Sequence, residues 1–301
     1  MSIIRTVAVA GASGTVGKPV VQGLFAAGFT VTALSRSDSK STFPSGVKVA
    51  NVDYNSVGDL TSALKDHDAL VCTLSAAVGL EQQYNLVEAA FAAGVKRILP
   101  SEFGCDQSKP PASQLPVFAD KIKVRDRIVE KTQASDTTSY TFVFNNVFLD
   151  WGIDFKFLID LQSKKIDIFD GGDHPFTSTP LDFVGKGVVS VLQHPKETEN
   201  RFIRLQGALT TQNQFLAIAQ RVVGKEGWQV NHNDSAEEEK KAYAKLKENS
   251  GDVYGWLVPM LKRAIYAEGW GGSFEGKNDN EMLGLKQMSE GEVEELIRSK
   301  V

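Results

Sequence analysis

An α/β protein, with a parallel sheet carrying helices on both faces and a smaller C-terminal α+β lobe, is what this sequence predicts. Three observations carry that prediction. Short β-rich apolar runs alternate with helical patterns through the first half of the 301 residues. Three glycines at three-residue spacing stand where the first run turns into the first helix. After Asn146 the rhythm changes to longer helical segments, a Gly-Gly-Asp-His-Pro loop and scattered short strands. The expected division is therefore 1–150 and 151–301, with the second part free to return strands or helices to the first.

The strands are expected at 6–10, 31–35, 47–52, 69–74, 97–99 and 140–144. The first leads into VAVAGASGTVGKPVV (residues 7–21). Gly11 permits a tight turn, Gly14 lets a pyrophosphate approach the backbone at a helix N-terminus, and Gly17 permits close helix–strand packing. Alone, such a triplet marks any turn rich in small residues; opening the first βαβ unit, it marks a Rossmann-type dinucleotide site, with Ser13, Thr15 and Val16 as further cofactor contacts. The first and third helices each end in Phe-Ala-Ala-Gly, at Gly28 and Gly94, a helix-stop signal.

The second strand ends in VTALSRSDSK. An acidic residue there would grip a ribose 2′-hydroxyl, whereas an arginine accommodates a 2′-phosphate. Arg36, with Ser35, Ser37 and Lys40 beside it, predicts NADPH over NADH. Thr73 and Ser75, closing the fourth strand, are candidates to line the cofactor. Ser101 and Glu102 end the fifth strand, where ligands gather at the carboxyl edge of such sheets, or else they shape the turn; with Phe103 they are the substrate-side candidates.

VFADKIKVRDRIVEK (117–131) reads as a helix between the fifth and sixth strands. At about 100° per residue, Val117, Phe118, Ile122, Val124, Ile128 and Val129 form one apolar arc, and Lys121 and Arg125 fall inside it. A lysine so flanked is partly desolvated, which lowers its pKa and suits it to proton transfer near neutral pH. The plainer alternative is a lysine that snorkels out or pairs with a carboxylate. Arg125 reads as structural, holding a carboxylate or carbonyl.

In the second half, TTQNQFLAIAQRVVG reads as a capped helix ending at Gly224, AEEEKKAYAKLKEN as a solvated charged helix, and Ser289–Glu292 as a capping box opening the last helix. Phe148, Trp151, Phe155, Trp256 and Trp270 read as core or as pocket wall; Phe148 joins the substrate-side candidates. His174 reads as a surface residue of the Gly-rich loop.

GASGTVG, KRILPSEFG, DKIKVRDRI and TFVFNNVF together resemble the isoflavone reductase-like branch of the atypical short-chain dehydrogenases, which includes phenylcoumaran benzylic ether and pinoresinol-lariciresinol reductases and borders the NmrA-like regulators. The resemblance covers the first half well and the second loosely. It implies an NADPH-binding domain and a substrate lobe, with the family's catalytic lysine on Lys121, its arginine on Arg36 and its asparagine after the sixth strand on Asn146. The residue four before Lys121 is Val117, so the tyrosine–lysine pair of ordinary short-chain dehydrogenases is missing there; Tyr243 and Lys247, in the charged helix, have that spacing by coincidence.

Composition narrows the rest. Thirty-three basic against 37 acidic residues, net charge −4 and pI near 5.7 leave no electrostatic footprint for nucleic acid. Cys72 and Cys105 have neither pair spacing nor a histidine cluster, so neither a disulfide framework nor a metal site is expected. No stretch reaches the roughly 20 apolar residues of a membrane span. The expectation is a cytoplasmic monomer or homodimer with NADPH/NADP⁺ as cofactor, reducing a small aromatic or conjugated substrate with Lys121 as general acid/base. The alternative is a non-catalytic NADP-sensing regulator acting through protein partners.

Overall fold

A computed structural model of the chain describes residues 3–75, 79–248 and 251–301. The alternation unfolds as β1 (Thr6–Ala10), α1 (Gly17–Ala26), β2 (Thr30–Ser35), β3 (Lys48–Asn51), α2 (Val57–Leu64), β4 (Ala69–Cys72), α3 (Leu80–Ala92), β5 (Arg97–Leu99), α4 (Ala119–Gln133) and β6 (Ser139–Phe144). Each of the six expected strands is found, to within one or two residues at either end. Gly28 and Gly94 follow their helices with φ of +85° and +70°.

Beyond β6 come β7 (Val147–Phe148), α5 (Leu149–Asp154), β8 (Lys165–Phe169), β9 (Phe176–Thr179), α6 (Leu181–Gln193), β10 (Arg201–Arg204), β11 (Ala208–Thr210), α7 (Gln212–Val223), β12 (Gln229–Asn233), α8 (Ser235–Glu248), α9 (Val253–Tyr266) and α10 (Glu290–Arg298). Thr211 and Ser289 cap α7 and α10 through reciprocal capping boxes with Gln214 and Glu292. Among the described residues no helix is long and apolar enough to cross a membrane.

The main sheet has seven strands in the order β10-β6-β5-β4-β1-β2-β3, each neighbouring pair parallel. Strand period sorts its core. Val7 and Val9 face a cluster with Val20 and Leu24 of α1 and Val184 and Val188 of α6, while Ala8 and Ala10 face Leu60, Leu86 and Ile128 on the other side. β10 and α6, from beyond residue 150, are part of this sheet and its helix layer. The α1–α6 crossing is tight: a Cβ on Gly185 would lie 2.5 Å from the Pro19 carbonyl oxygen.

A smaller body gathers the antiparallel β11–β9 pair, extended by β7, and the parallel β12–β8 pair. Leu149, Ile159, Phe176, Phe215, Met260 and Ile297 are in its core. The apolar arc on α4 is divided between two cores. Val124 and Ile128 pack under the main sheet, whereas Phe118, with Val117 and Ile122 at its margin, packs into the second body. The beginning of α4 is thereby the joint between the two.

Lys262 of α9 is an unusual core residue. It is 7% exposed, its ammonium donates to the Phe157 carbonyl, and it lies 3.9 Å from the centre of the Phe157 ring. Burial pulls its pKa down from 10.5 to about 8, with the Asp167 charge opposing. Between those two values the unfolded chain keeps a proton that the folded chain has released, so stability contributed at this site rises as pH increases. Denaturant unfolding at about pH 8 and about pH 10 should show the parent gaining up to about 3 kcal/mol relative to Lys262→Met; a pH-independent difference would place the ammonium in water.

Candidate active site

The candidate residues line up along one edge of the sheet because parallel strands deliver all their carboxyl ends to the same side. In strand order the edge carries Arg36 after β2, the glycine loop after β1, Thr73 and Ser75 after β4, Ser101 and Glu102 after β5, Asn145 and Asn146 after β6, and Arg204 at the end of β10. With strands about 4.8 Å apart, the glycine loop and the end of β5 lie roughly 10 Å from each other.

The three glycines differ in what they satisfy. Gly11 has φ +75°, and a Cβ there would lie 2.8 Å from the Thr73 backbone of the adjacent strand end. A Cβ on Gly17 would come within 2.1 Å of the Gly11 carbonyl oxygen. These two are required by the chain itself. At Gly14 a Cβ would lie 3.2 Å from the Gly11 carbonyl oxygen, a tight contact but a looser one than at the other two. Ser13, Gly14 and Thr15 are exposed and Val16 half-buried, and α1 begins without a side-chain cap or an acidic residue in its first turn. An open helix N-terminus under exposed backbone is suited to an anion.

Arg36 and Lys40 are exposed, and Arg36 is only loosely paired with Asp38 at 3.6 Å. Beside them is a residue the sequence reading passed over. The Tyr54 hydroxyl, in the loop after β3, donates to the Leu34 carbonyl (3.2 Å) close to Gly11; burial and the nearby Cys72 raise its pKa while Arg36 opposes. The signal was position: the loop after β3 reaches the same edge. Thr73 is buried and its hydroxyl donates to the Ala10 carbonyl (2.8 Å), whereas Ser75 is exposed.

Lys121 is half-buried on the first turn of α4, and its ammonium donates to the Glu102 main-chain carbonyl at 2.7 Å. Burial lowers its pKa, opposed by the charges of Glu102 and Cys105. The Glu102 carboxyl, 1% exposed, accepts from the Gln107 amide; burial raises its pKa, opposed by Lys121 and Arg125. Arg125 donates to the Gln107 carbonyl at 3.3 Å, the structural role its position suggested. Cys105 is buried and its thiol pushed up to about 12, which leaves it unreactive.

The remaining candidates divide. Ser101 is half-buried and its hydroxyl donates to the Leu74 carbonyl (2.7 Å), tying the end of β5 to the end of β4. Phe103 is a core residue at 6% exposure, and Phe148 is half-buried against the same cluster. Asn146 sits differently from a cofactor-facing residue. It is 1% exposed at φ +53°, and its side-chain amide donates to the carbonyls of Thr177 (2.7 Å) and Gly272 (2.6 Å), tying β6 to the second body. Gln107 Oε1, Asn145 Oδ1 and Asn146 Oδ1, all buried, have no partner among the described residues, concentrating unused polar capacity around this edge.

Beyond β6 lies a cavity of about 400 Å³. Its walls include Asp106, Lys109, His174, Arg204, Trp270 and Lys277. Arg204 pairs with Asp106 at 2.7 Å, and a Cβ on Gly271 would meet the Asp106 carbonyl oxygen at 2.4 Å, so the two walls touch through backbone. His174 is half-buried here rather than on open surface. Trp151 and Phe155 stack on each other at 5.2 Å elsewhere and form no part of this wall.

Fold and edge together define the class: a doubly wound, Rossmann-type protein with a glycine loop at its carboxyl edge. The chain belongs to the NmrA-like family, whose model matches residues 4–241. It is 33% identical over 293 residues to oxidoreductase poxI of Penicillium oxalicum, covering 94% of this chain and 90% of that protein. It is 26% identical over 254 residues to the isoflavone reductase of Pisum sativum, covering 75% and 78% of the two chains. Among solved structures, a leucoanthocyanidin reductase–NADPH complex from Vitis vinifera matches with a TM-score of 0.77 at 19% identity, covering 97% of this chain and 99% of that one.

Asn146→Ala removes two hydrogen bonds to buried carbonyls, each worth about 0.5–1.5 kcal/mol, while the Gly272 carbonyl keeps the Thr177 N–H. It should lower the thermal midpoint by several degrees while changing NADPH affinity by no more than a few fold, measured by calorimetric unfolding and cofactor titration.

Proposed function

We propose that this chain is an NADPH-dependent reductase of a small aromatic or conjugated molecule, with Lys121 as the general acid/base. The observation that carries the reading is Lys121 itself: a partly desolvated ammonium at the carboxyl edge, two strands from an open glycine loop. The relatives named oxidoreductase and isoflavone reductase, and similar folds solved with NADPH or NADP⁺, support it.

The residues present fit the cofactor. Gly14 is exposed at the uncapped N-terminus of α1, which takes a pyrophosphate, and exposed Arg36 and Lys40 take a 2′-phosphate. Bound, the reduced nicotinamide supplies a hydride. Lys121, held by the Glu102 carbonyl, gives a proton to the oxygen next to the carbon that is reduced, directly or through water. Burial lowers its pKa, which makes the ammonium a readier proton donor, and the Glu102 charge opposes the fall.

Arg36→Glu should weaken NADPH far more than NADH in equilibrium titrations, because the 2′-phosphate then meets like charge; equal losses would sink the assignment. Gly14→Val should lose both cofactors, since its side chain would fill the approach to the helix, with circular dichroism and thermal unfolding showing that the fold is kept. Lys121→Ala should retain NADPH within a few fold and lose about 10²- to 10⁴-fold in turnover, assayed with a panel of phenolic and enone compounds. Normal turnover would make Lys121 structural. A parent protein that oxidises NADPH with no compound in the panel, while a protein partner distinguishes its NADPH and NADP⁺ forms, would establish the sensor instead.

A further inference from the structure

The cavity on the β10 side is charged in a way that the reductase reading does not require. Arg204 and Asp106 cancel each other: burial alone would raise the Asp106 carboxyl, but hydrogen bonds from Ser108 and the Arg204 charge hold it below the usual range. Lys109 and Lys277 line the same cavity, and neither ammonium has a hydrogen-bond or ion-pair partner among the described residues. Glu268, exposed at the rim, is the remaining carboxylate in the wall. In a chain of net charge −4, a concavity whose wall carries Lys109 and Lys277 against the single exposed carboxylate of Glu268 keeps a net positive charge and makes a local site for an anion.

The same concavity offers aromatic contact. Trp270 is half-buried in its wall, steadied by the Arg263 guanidinium 4.7 Å from its ring centre. A volume of about 400 Å³ suits a molecule of one or two rings. The segment after β5 links the two places: it runs from Glu102, whose carbonyl holds Lys121, into Asp106, Ser108 and Lys109 of the cavity wall, and Arg204 closes the far side about 10 Å away at the end of β10, two strands beyond β5. A molecule reaching from Lys121 into it would carry its anionic group about one aromatic unit away from the reacting carbon.

We propose that this cavity is the outer part of the substrate site and selects an anionic aromatic substrate, with a carboxylate between Lys109 and Lys277 and a ring against Trp270. The proposal rests on the reductase reading for the word substrate, and on the cavity alone for the binding preference.

The test compares 4-hydroxycinnamate with its neutral methyl ester by titration calorimetry at neutral pH, on the NADP⁺-loaded and the cofactor-free protein. The acid should bind about tenfold tighter than the ester, the scale expected of two solvent-facing ion pairs acting together, and the preference should shrink with added salt. Lys109→Ala/Lys277→Ala, altering two exposed side chains, should equalise acid and ester while leaving ester and NADP⁺ affinities unchanged. Equal binding of acid and ester by the parent, a preference that survives in the double variant, or no measurable binding of the acid overturns the proposal. Reduction of neutral compounds without preference for acids would overturn it and leave the reductase standing. A lysine-dependent preference in a protein that oxidises NADPH with no compound would support the anion site and retire the reductase.

Discussion

Three cations hold the chain where it leaves β5, and the site depends on them. β5 is three residues long, and in the segment that follows the Gly104 carbonyl accepts from the Asn145 and Asn146 N–H groups at the end of β6, leaving the flanking residues to side chains. Lys121 takes the Glu102 carbonyl, Arg125 takes the Gln107 carbonyl, and Arg204 takes the Asp106 carboxylate. Each cation comes at a desolvation cost that only a well-placed oxygen offsets, so the segment and the cations fix one another. The Glu102 carboxyl, turned inward onto Gln107, adds a charge of opposite sign beside Lys121.

This arrangement joins the two bodies. Lys121 and Arg125 lie on the helix whose first turn packs into the second core and whose remainder packs under the sheet. Arg204 arrives from the end of β10, some hundred positions later in the chain, and Asn146 holds β6 to the carbonyls of Thr177 and Gly272. The carboxyl edge is thus divided by construction. The β1–β2 end keeps exposed backbone and cations, and the β6–β10 end is walled by segments of the second body.

The strands, the order of alternation and the glycine loop were legible because they rest on local patterns: short apolar runs, helix-ending glycines, and a strand-to-helix turn with three glycines at three-residue spacing. The apolar arc of 117–131 was likewise legible, and it placed Lys121 and Arg125 on the right face. What the arc could not reveal is that its residues serve two different cores, because a helical wheel records direction around an axis and not what lies opposite.

Tertiary structure alone decided the rest. Phe103 became core, Asn146 became a tie between bodies, and His174 and Trp270 came to share a cavity with Lys109 and Lys277. None of these follows from neighbours in sequence. The cavity assembles residues from positions 106 to 277, and the partners of Asn146 are 31 and 126 positions away. Sequence by itself determined six strands of the sheet, the glycine loop and the lysine on the apolar arc, since each is set by short-range geometry. Which polar groups are left open to a ligand depends on which distant oxygens and cations have already satisfied one another, and only the folded chain brings those together.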